Sequence, residues 1–373
     1  MNLPILLMMV YFAYQSFGLA GVLGFPCMML AMLYFRQNGM LYVNSMKSYQ
    51  MFPDNAAFNL MYEEVKFLTA DGVSICSWLI KQPHLTKGRN VAPTVIFFHG
   101  NAGTIAERLP NADGLVKKVG CNVLLVEYRG YGTSEGSPTE AGLQADAQGA
   151  LEMLLKRTDI DTDNIYVFGR SLGGAVAIAL AQANPGKLRA MIVENTFTSI
   201  REMAGALFPF LSVLPTKFFE ALLENHWHSD DIIGEVELPI LFLGGKLDEI
   251  VPTAHMSKLW DLYTAKGTPT TATQVFFPTG KHNDTWTLPG YYDHIAKFVR
   301  DVSAASGGST AEPTGAAGID SELDSGWEKM EKPVDAMSVP ELKTALRRRN
   351  IDSSKCVEKS EMQSLLESDT PLS

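Results

Sequence analysis

The fold of this chain is decided by one stretch, Ile165-Tyr166-Val167-Phe168-Gly169-Arg170-Ser171-Leu172-Gly173-Gly174. Its first four residues are β-branched or aromatic, which favours a buried strand. The Gly-x-Ser-x-Gly motif that follows is succeeded by small residues such as Ala175 and Ala177, so a slim helix is expected directly behind it. A strand, a sharp glycine turn and a helix lift a hydroxyl above the edge of a sheet. The stretch therefore predicts a nucleophile elbow, with Ser171 as the nucleophile.

The sequence around this stretch alternates between short apolar runs and stretches of helical character. Residues 62–69 and 73–80 flank the turn dipeptide Asp71-Gly72 and predict a β-hairpin. Alternation of strand and helix predicts the α/β class, with a mostly parallel sheet flanked by helices and the hairpin on one edge. The other predicted strands are 94–98, 121–128, 165–168, 191–193, 240–243 and 273–277, and the predicted helices are 139–157, 172–183, 254–265 and 291–302.

A serine nucleophile requires a base and a carboxylate that orients the base. Asp248 lies just beyond the run 240–243, and His282 lies in the loop after 273–277. Open α/β sheets keep their sites at these carboxyl ends of strands. We therefore predict Asp248 as the acid and His282 as the base. The chain order Ser171, Asp248, His282 is the order found in α/β hydrolases.

The oxyanion of an acyl-transfer reaction also requires hydrogen-bond donors. The loop after residues 95–98 reads His-Gly-Asn-Ala-Gly over 99–103, where backbone N–H groups can point at the serine. We predict the main-chain N–H of Asn101 as the first donor and that of Leu172 as the second. His99 is interpreted as a residue that orients this loop rather than as the base.

Other groups compete for these roles. Glu194 follows a predicted strand and is an alternative acid, since a carboxylate there can also reach the histidine. Asp284 and Glu249 are expected to brace the triad. The cluster at 226–231, with two histidines and two aspartates, matches none of the usual zinc spacings, so we expect lid surface or core there and no metal.

Composition restricts the function classes. The chain has 373 residues, of which 46% are hydrophobic, enough for one large α/β domain with appendages. Its formal charge of −10 makes nucleic acid an unlikely partner. The four cysteines form no CxxC pair, which excludes a disulfide scaffold and a cysteine zinc site. No dinucleotide-binding or Walker motif occurs, so no cofactor is expected.

The N-terminal segment is apolar. Residues 3–35 contain no Asp, Glu, Lys, Arg or His, and about 20 apolar residues suffice to cross a bilayer. We expect a single transmembrane helix within residues 1–40. Because Gly24-Phe25-Pro26 favours a kink, this segment is either a tilted span or a pair of short re-entrant halves. A cleaved signal peptide fits less well, since no basic residue precedes the run. Arg36 and Lys47 follow it, which favours a cytoplasmic catalytic side. We expect a single-pass protein of the plasma membrane or of an endomembrane such as the endoplasmic reticulum.

Two segments are expected to follow the α/β domain, which is assigned to residues 41–302 with a possible lid at 195–235. Residues 303–337 begin with a stretch rich in Ala, Ser, Gly and Thr and predict a flexible linker. Residues 338–373 begin with a capping box and predict two short amphipathic helices. Their pattern resembles SAP-like helical hairpins, including that of the mesencephalic astrocyte-derived neurotrophic factor family. A protein partner is favoured over DNA, because acidic residues accompany its Arg-Arg-Arg run.

Five motifs together carry a wider resemblance: His-Gly-Asn-Ala-Gly at 99–103, Tyr-Arg-Gly-Tyr-Gly-Thr-Ser-Glu-Gly at 128–136, Gly-Arg-Ser-Leu-Gly-Gly at 169–174, Glu-Asn-Thr-Phe-Thr-Ser at 194–199 and Gly-Lys-His-Asn-Asp-Thr-Trp at 280–286. Over residues 62–302 the chain resembles the membrane-anchored alpha/beta hydrolase domain-containing protein 13 group, which includes fungal bud-emergence and plant wavy-growth relatives. This resemblance implies an α/β-hydrolase fold and a serine hydrolase, and it supports Ser171, Asp248 and His282 by position.

These features predict a membrane-anchored serine hydrolase that cleaves an acyl ester or thioester through an acyl-enzyme. The expected anchor and the apolar segment 207–214 favour a lipid or an S-acylated protein as substrate. Two alternatives stay open. The same triad hydrolyses amides, so a serine peptidase is one alternative. The other is a membrane-tethered adaptor that recruits a protein through residues 338–373.

Overall fold

A computed structural model describes residues 3–82, 92–208, 211, 215–265, 267 and 272–305, although several side chains of the N-terminal helix lie outside this set. The strands form one eight-stranded sheet in the order β1-β2-β4-β3-β5-β6-β7-β8. They are β1 Tyr62–Leu68, β2 Ser74–Ile80, β3 Thr94–Phe98, β4 Asn122–Val126, β5 Ile165–Arg170, β6 Ala190–Glu194, β7 Ile240–Gly245 and β8 Thr273–Phe277.

The hairpin lies at one edge of this sheet. β1 and β2 are antiparallel, and the turn between them contains Gly72 with φ of 80°, a conformation that glycine adopts without steric cost. β2 is antiparallel to β4, and every later pair is parallel. The predicted α/β fold, with a mostly parallel sheet flanked by helices, is therefore confirmed.

Helices cover both faces of the sheet because side chains of a strand alternate between its two faces. The helices are α1 Leu3–Leu41, α2 Leu109–Gly114, α3 Glu140–Leu155, α4 Leu172–Ala183, α5 Ile200–Leu207, α6 Thr216–Leu222, α7 Ser229–Ile232, α8 Ala254–Thr264 and α9 Tyr291–Ala305. In β5, Ile165 and Val167 pack into one apolar cluster, with residues of α3, α4 and α8, whereas Tyr166 and Phe168 pack into a second one, with residues of α2 and α9.

The N-terminal helix α1 is interrupted at Gly18, where φ is 60° and ψ is −147°. The break therefore falls at Gly18 and not at the predicted Gly24-Phe25-Pro26. Only glycine adopts such a positive φ cheaply, whereas a proline inside a helix removes one backbone hydrogen bond but keeps a helical φ near −65°. Within the described part of the chain, no helix combines the length and the apolar character needed to cross a bilayer. The transmembrane helix within residues 1–40 stays a prediction.

The other predicted segments are described to different extents. The possible lid at 195–235 contains α5, α6 and α7, and its residues 209–210 and 212–214 lie outside the described set. The predicted linker at 303–337 is described only at 303–305, which end α9. The SAP-like hairpin predicted at 338–373 lies outside the described residues, so the domain boundaries stay predictions.

Candidate active site

Ser171 occupies a sharp turn between β5 and α4. Its φ of 53° and ψ of −121° are strained for a residue with a side chain. Two hydrogen bonds hold this conformation: the N–H of Ser171 donates to the carbonyl oxygen of Glu194 over 2.9 Å, and the hydroxyl of Thr196 donates to the carbonyl oxygen of Ser171 over 2.7 Å. A strained serine held from both sides is the geometry of a nucleophile elbow.

The glycines of the motif permit a close approach of backbone to backbone. A Cβ on Gly173 would overlap the carbonyl oxygen of Phe98 at the end of β3, and a Cβ on Gly169 would overlap the carbonyl oxygen of Gly173. A Cβ on Gly174 would overlap the side chain of Thr196. Larger residues would therefore push α4 away from the sheet and shift the serine hydroxyl.

The structure brings the predicted nucleophile, base and acid into one hydrogen-bonded line. The Oγ of Ser171 lies 3.0 Å from Nε2 of His282, and Nδ1 of His282 lies 2.8 Å from Oδ2 of Asp248. An ionised carboxylate can only accept, so Nδ1 carries the proton and Nε2 is free to accept from the hydroxyl. His282 is only 5% exposed, which limits competition by water.

Asp248 is oriented by the backbone of its own loop. Its Oδ1 accepts hydrogen bonds from the N–H groups of Ile250 over 2.9 Å and Val251 over 2.8 Å. This leaves Oδ2 for His282, and the side chain of Asp248 is only 2% exposed. The acid is therefore fixed by three hydrogen bonds before any substrate binds.

Asn195 connects the acid loop with the histidine loop. Its Oδ1 accepts from the N–H of Gly245 over 2.8 Å, and its Nδ2 donates to the carbonyl oxygen of His282 over 3.1 Å. Its φ of 47° suits asparagine, which tolerates the left-handed region. We did not predict this role from the sequence, where the only signal was the place of Asn195 in the motif at 194–199.

The two carboxylates expected to brace the triad both contact the histidine loop through its backbone. Oε2 of Glu249 accepts from the N–H of His282 over 3.3 Å, and Oδ1 of Asp284 accepts from the N–H of Lys281 over 2.7 Å. Neither contact involves the imidazole ring. Both therefore act on the position of the loop.

Glu194, the alternative acid, is engaged elsewhere. It is fully buried, and its Oε2 accepts from Nε of Arg170 over 2.9 Å and from the hydroxyl of Tyr291 over 2.7 Å. Burial, followed by the negative charge of Glu194, raises the pKa of Tyr291 well above its usual value, so its hydroxyl remains a donor. Glu194 therefore forms a buried ion pair with Arg170, and Asp248 is the carboxylate that contacts the imidazole of His282.

The backbone around the two predicted oxyanion donors lies beside the nucleophile. A Cβ on Gly100 would be 3.6 Å from Cβ of Ser171, so the loop that carries Asn101 passes next to the serine. Leu172 is the first residue of α4, and N–H groups in a first helical turn have no acceptor within the helix. The positive end of the helix dipole also favours negative charge there.

His99 contacts the peptide that carries the first predicted oxyanion donor. Its Nδ1 lies 2.7 Å from the carbonyl oxygen of Gly100 and donates to it, while its Nε2 lies 3.3 Å from Oε1 of Glu127. In a trans peptide the carbonyl oxygen and the next N–H point in opposite directions. Holding the oxygen of Gly100 therefore sets the direction of the N–H of Asn101.

Replacing His99 by leucine is expected to lower kcat by about 10- to 100-fold, less than the loss of a whole oxyanion donor, because the Gly100–Asn101 peptide becomes free to rotate. The matched variant is His99→Asn, whose side-chain nitrogen stands near the position of Nδ1 and can still donate to Gly100. Both variants lose the contact with Glu127, so the difference in kcat between them reports the effect of Nδ1. KM and the melting temperature are measured for both variants to show whether binding or stability also changes. Equal losses of kcat in both would contradict this role.

Three possible metal-ligand side chains meet in the lid, a grouping that sequence spacing did not reveal. Ligand atoms of Glu220, His226 and His228 lie within 4.8 Å of one another. Glu220 comes from α6, and its Oε1 already accepts from Nε of Arg201 over 2.8 Å. This carboxylate therefore has a cationic partner within the protein.

Residues 93–226 match the alpha/beta hydrolase fold family. The alpha/beta hydrolase domain-containing protein WAV2 of Arabidopsis thaliana is 45% identical over 251 residues, which are 65% of this chain and 79% of WAV2. Protein bem46 of Schizosaccharomyces pombe is 39% identical over 277 residues, 73% of this chain and 88% of bem46.

One solved structure extends the comparison to three dimensions. The Pyrococcus furiosus esterase Pf2001 superposes with a TM-score of 0.55 and covers 69% of this chain and 98% of its own. Its sequence identity is 18%, so the likeness concerns the fold alone.

Proposed function

The chain belongs to the alpha/beta hydrolase family of WAV2 and bem46, and on that premise we propose that it is a serine hydrolase that cleaves an acyl ester or thioester. The observation that carries the proposal is the hydrogen-bonded line from Asp248 through His282 to Ser171, with distances of 2.8 Å and 3.0 Å. Such a line activates a hydroxyl that is otherwise a weak nucleophile.

The reaction proceeds in two halves. The Oγ of Ser171 attacks the acyl carbonyl while Nε2 of His282 takes its proton, and Asp248 stabilises the imidazolium that forms. The N–H groups of Asn101 and Leu172 stabilise the oxyanion, each by about 3 kcal/mol. The imidazolium then protonates the leaving alcohol or thiol, and an acyl-enzyme remains. A water molecule, deprotonated by His282, releases the acid in the second half.

We place this hydrolase at a membrane, with a lipid or an S-acylated protein as its substrate. The support is the absence of charged residues from 3–35, which lie in α1. An apolar cavity beside Ser171 also suits an acyl chain. A protein partner for residues 338–373 is part of the same proposal, and it rests on the resemblance of that segment alone.

The proposal is tested with a fluorophosphonate probe, which reacts covalently with activated serines. We expect the full-length protein in detergent to be labelled and its Ser171→Ala variant to remain unlabelled. The control variant is Ser257→Ala, which removes an exposed hydroxyl from α8 and should label like the wild type.

Two results of this experiment would count against the proposal. Labelling of Ser171→Ala would mean that another residue reacts. Absence of labelling in a wild type that circular dichroism shows to be folded would favour the adaptor, whose hydrolase domain serves only as a platform.

A further inference from the structure

We propose that the cavity beside Ser171 binds the acyl chain of the substrate, and that the C-terminal turns of α1 form one wall of this acyl site. The inference rests on the proposed function, since it names what lies on the acyl side of the bond that Ser171 attacks. The cavity has a volume of about 440 Å³, and both Ser171 and His282 line it. Sites for small molecules commonly enclose about 300–1,000 Å³.

The lining away from the catalytic end is mostly apolar, and its polar side chains, Gln37 and Asn225, are hydrogen-bonded within the protein. The lid contributes Met203, Leu207 and Phe219, and α1 contributes Met40 and Leu41. An acyl chain offers only CH₂ groups, so a lining of this kind stabilises it without leaving polar groups unpaired.

The charged side chains that line the cavity already have contacts with the protein near the catalytic end. Arg170 is paired with Glu194 over 2.8 Å, and Arg108 donates to the carbonyl oxygen of Ala102 in the oxyanion loop. Both guanidinium groups therefore have hydrogen-bond partners within the protein.

The wall formed by α1 is held to the lid by side-chain hydrogen bonds. Nε2 of Gln37 donates to the carbonyl oxygen of Leu222 over 3.1 Å, and Oε1 of Gln37 accepts from the N–H of Glu224 over 2.8 Å. The hydroxyl of Tyr42, which is 1% exposed, donates to Oδ1 of Asn225 over 2.8 Å. These contacts join residues more than 180 positions apart and fix the end of α1 against the lid.

The segment after α1 is also joined to the oxyanion loop. The N–H of Val43 donates to the carbonyl oxygen of Asn101 over 2.9 Å, as part of a parallel β-bridge between Val43 and Ala102. The hydroxyl of Tyr131 donates to the same carbonyl oxygen over 2.8 Å. The wall and the catalytic loop are therefore parts of one hydrogen-bonded structure.

The mouth of the cavity lies where its lining side chains reach solvent. Tyr34 is 38% exposed, Met40 48% and Leu207 52%, although all three line the cavity. Two of them belong to α1 and the third to α5, so the cavity opens to solvent between these helices, and the exposed lining residue Ile250 opens it beside the acid loop as well. An acyl chain would enter alongside α1, the helix that carries the uncharged residues 3–35.

The test compares chain-length selectivity in the full-length protein in detergent, using p-nitrophenyl acetate and p-nitrophenyl octanoate. We expect the wild type to prefer octanoate, and Met40→Trp to lower the octanoate-to-acetate ratio of kcat/KM by about fourfold for each CH₂ that no longer fits. Met32→Trp is the matched control, because Met32 lies on the same helix, is 60% exposed and does not line the cavity. Its ratio should equal that of the wild type.

A second variant, Ala204→Phe, fills the cavity from α5 and should lower the same ratio if Met40→Trp fails to fold. A wild type that reacts with the fluorophosphonate but shows no preference for octanoate would overturn the acyl site and leave the proposed function standing. Equal octanoate-to-acetate ratios of kcat/KM in Met40→Trp, Met32→Trp and the wild type would contradict the assignment of α1 as a wall of the acyl site. Absence of fluorophosphonate labelling would instead overturn the proposed function.

Discussion

Replacing His282 by alanine is expected to lower kcat by about 10⁵-fold, with little change in KM. Nε2 of His282 lies 3.0 Å from the hydroxyl of Ser171, and loss of the base leaves that hydroxyl protonated during attack. Removal of the histidine from a comparable triad costs about as much as removal of all three residues, because the three act as a unit. The residual rate would come from the oxyanion donors and from substrate binding.

The control for this variant is His294→Ala, which removes an exposed imidazole from α9 that contacts the ring of Phe277. It should retain kcat within about twofold, as surface substitutions usually have small effects. Rates are measured with p-nitrophenyl octanoate, and fluorophosphonate labelling is followed in parallel. If His282→Ala kept more than a hundredth of the wild-type kcat, His282 could not be the general base.

Replacing Asp248 by asparagine is expected to lower kcat by about 10⁴-fold while the fold is retained. The reason lies in the two backbone N–H groups, of Ile250 and Val251, that donate to Oδ1. They would hold the amide oxygen of the new side chain, so its NH₂ group would face Nδ1 of His282. The imidazole would then carry its proton on Nε2 and could not accept one from Ser171.

Two further variants test whether Asp248 or Glu194 is the acid of the triad. Asp293→Asn changes an exposed carboxylate on α9 and should leave kcat unchanged. Glu194→Gln weakens a buried ion pair with Arg170, so it should lower the melting temperature and have only a small effect on kcat. A large loss of kcat in Glu194→Gln together with a small one in Asp248→Asn would reverse the assignment of the acid.

The side chains that meet at the candidate site could be predicted from the sequence because their places depend on local backbone demands. A strand that turns sharply into a helix requires glycines at the turn, and these glycines lie within three residues of Ser171 in the chain. The places of Asp248 and His282 followed from a general rule, since loops after parallel strands meet at one edge of the sheet.

Local patterns failed where the backbone departs from regular periodicity. The segment from Ile105 to Val119 contains a 3₁₀ turn, α2 and a π turn in succession, and no helix was predicted there. Pro110 and Gly114 interrupt its apolar pattern, so the 3.6-residue period is lost. The break in α1 fell at Gly18 for a related reason, because conformational freedom at a glycine leaves no periodic signal.

The sequence by itself determined the order of the strands and of the helices α3, α4, α8 and α9, the nucleophile turn and the candidates for base and acid, because each depends on residues close together in the chain. Only the tertiary structure decided that Asn195 joins the acid and histidine loops, that Glu194 pairs with Arg170, and that the end of α1 meets the lid through Tyr42 and Asn225. Such contacts join distant residues. They arise from the packing of side chains across elements, which a periodic pattern along one element does not encode.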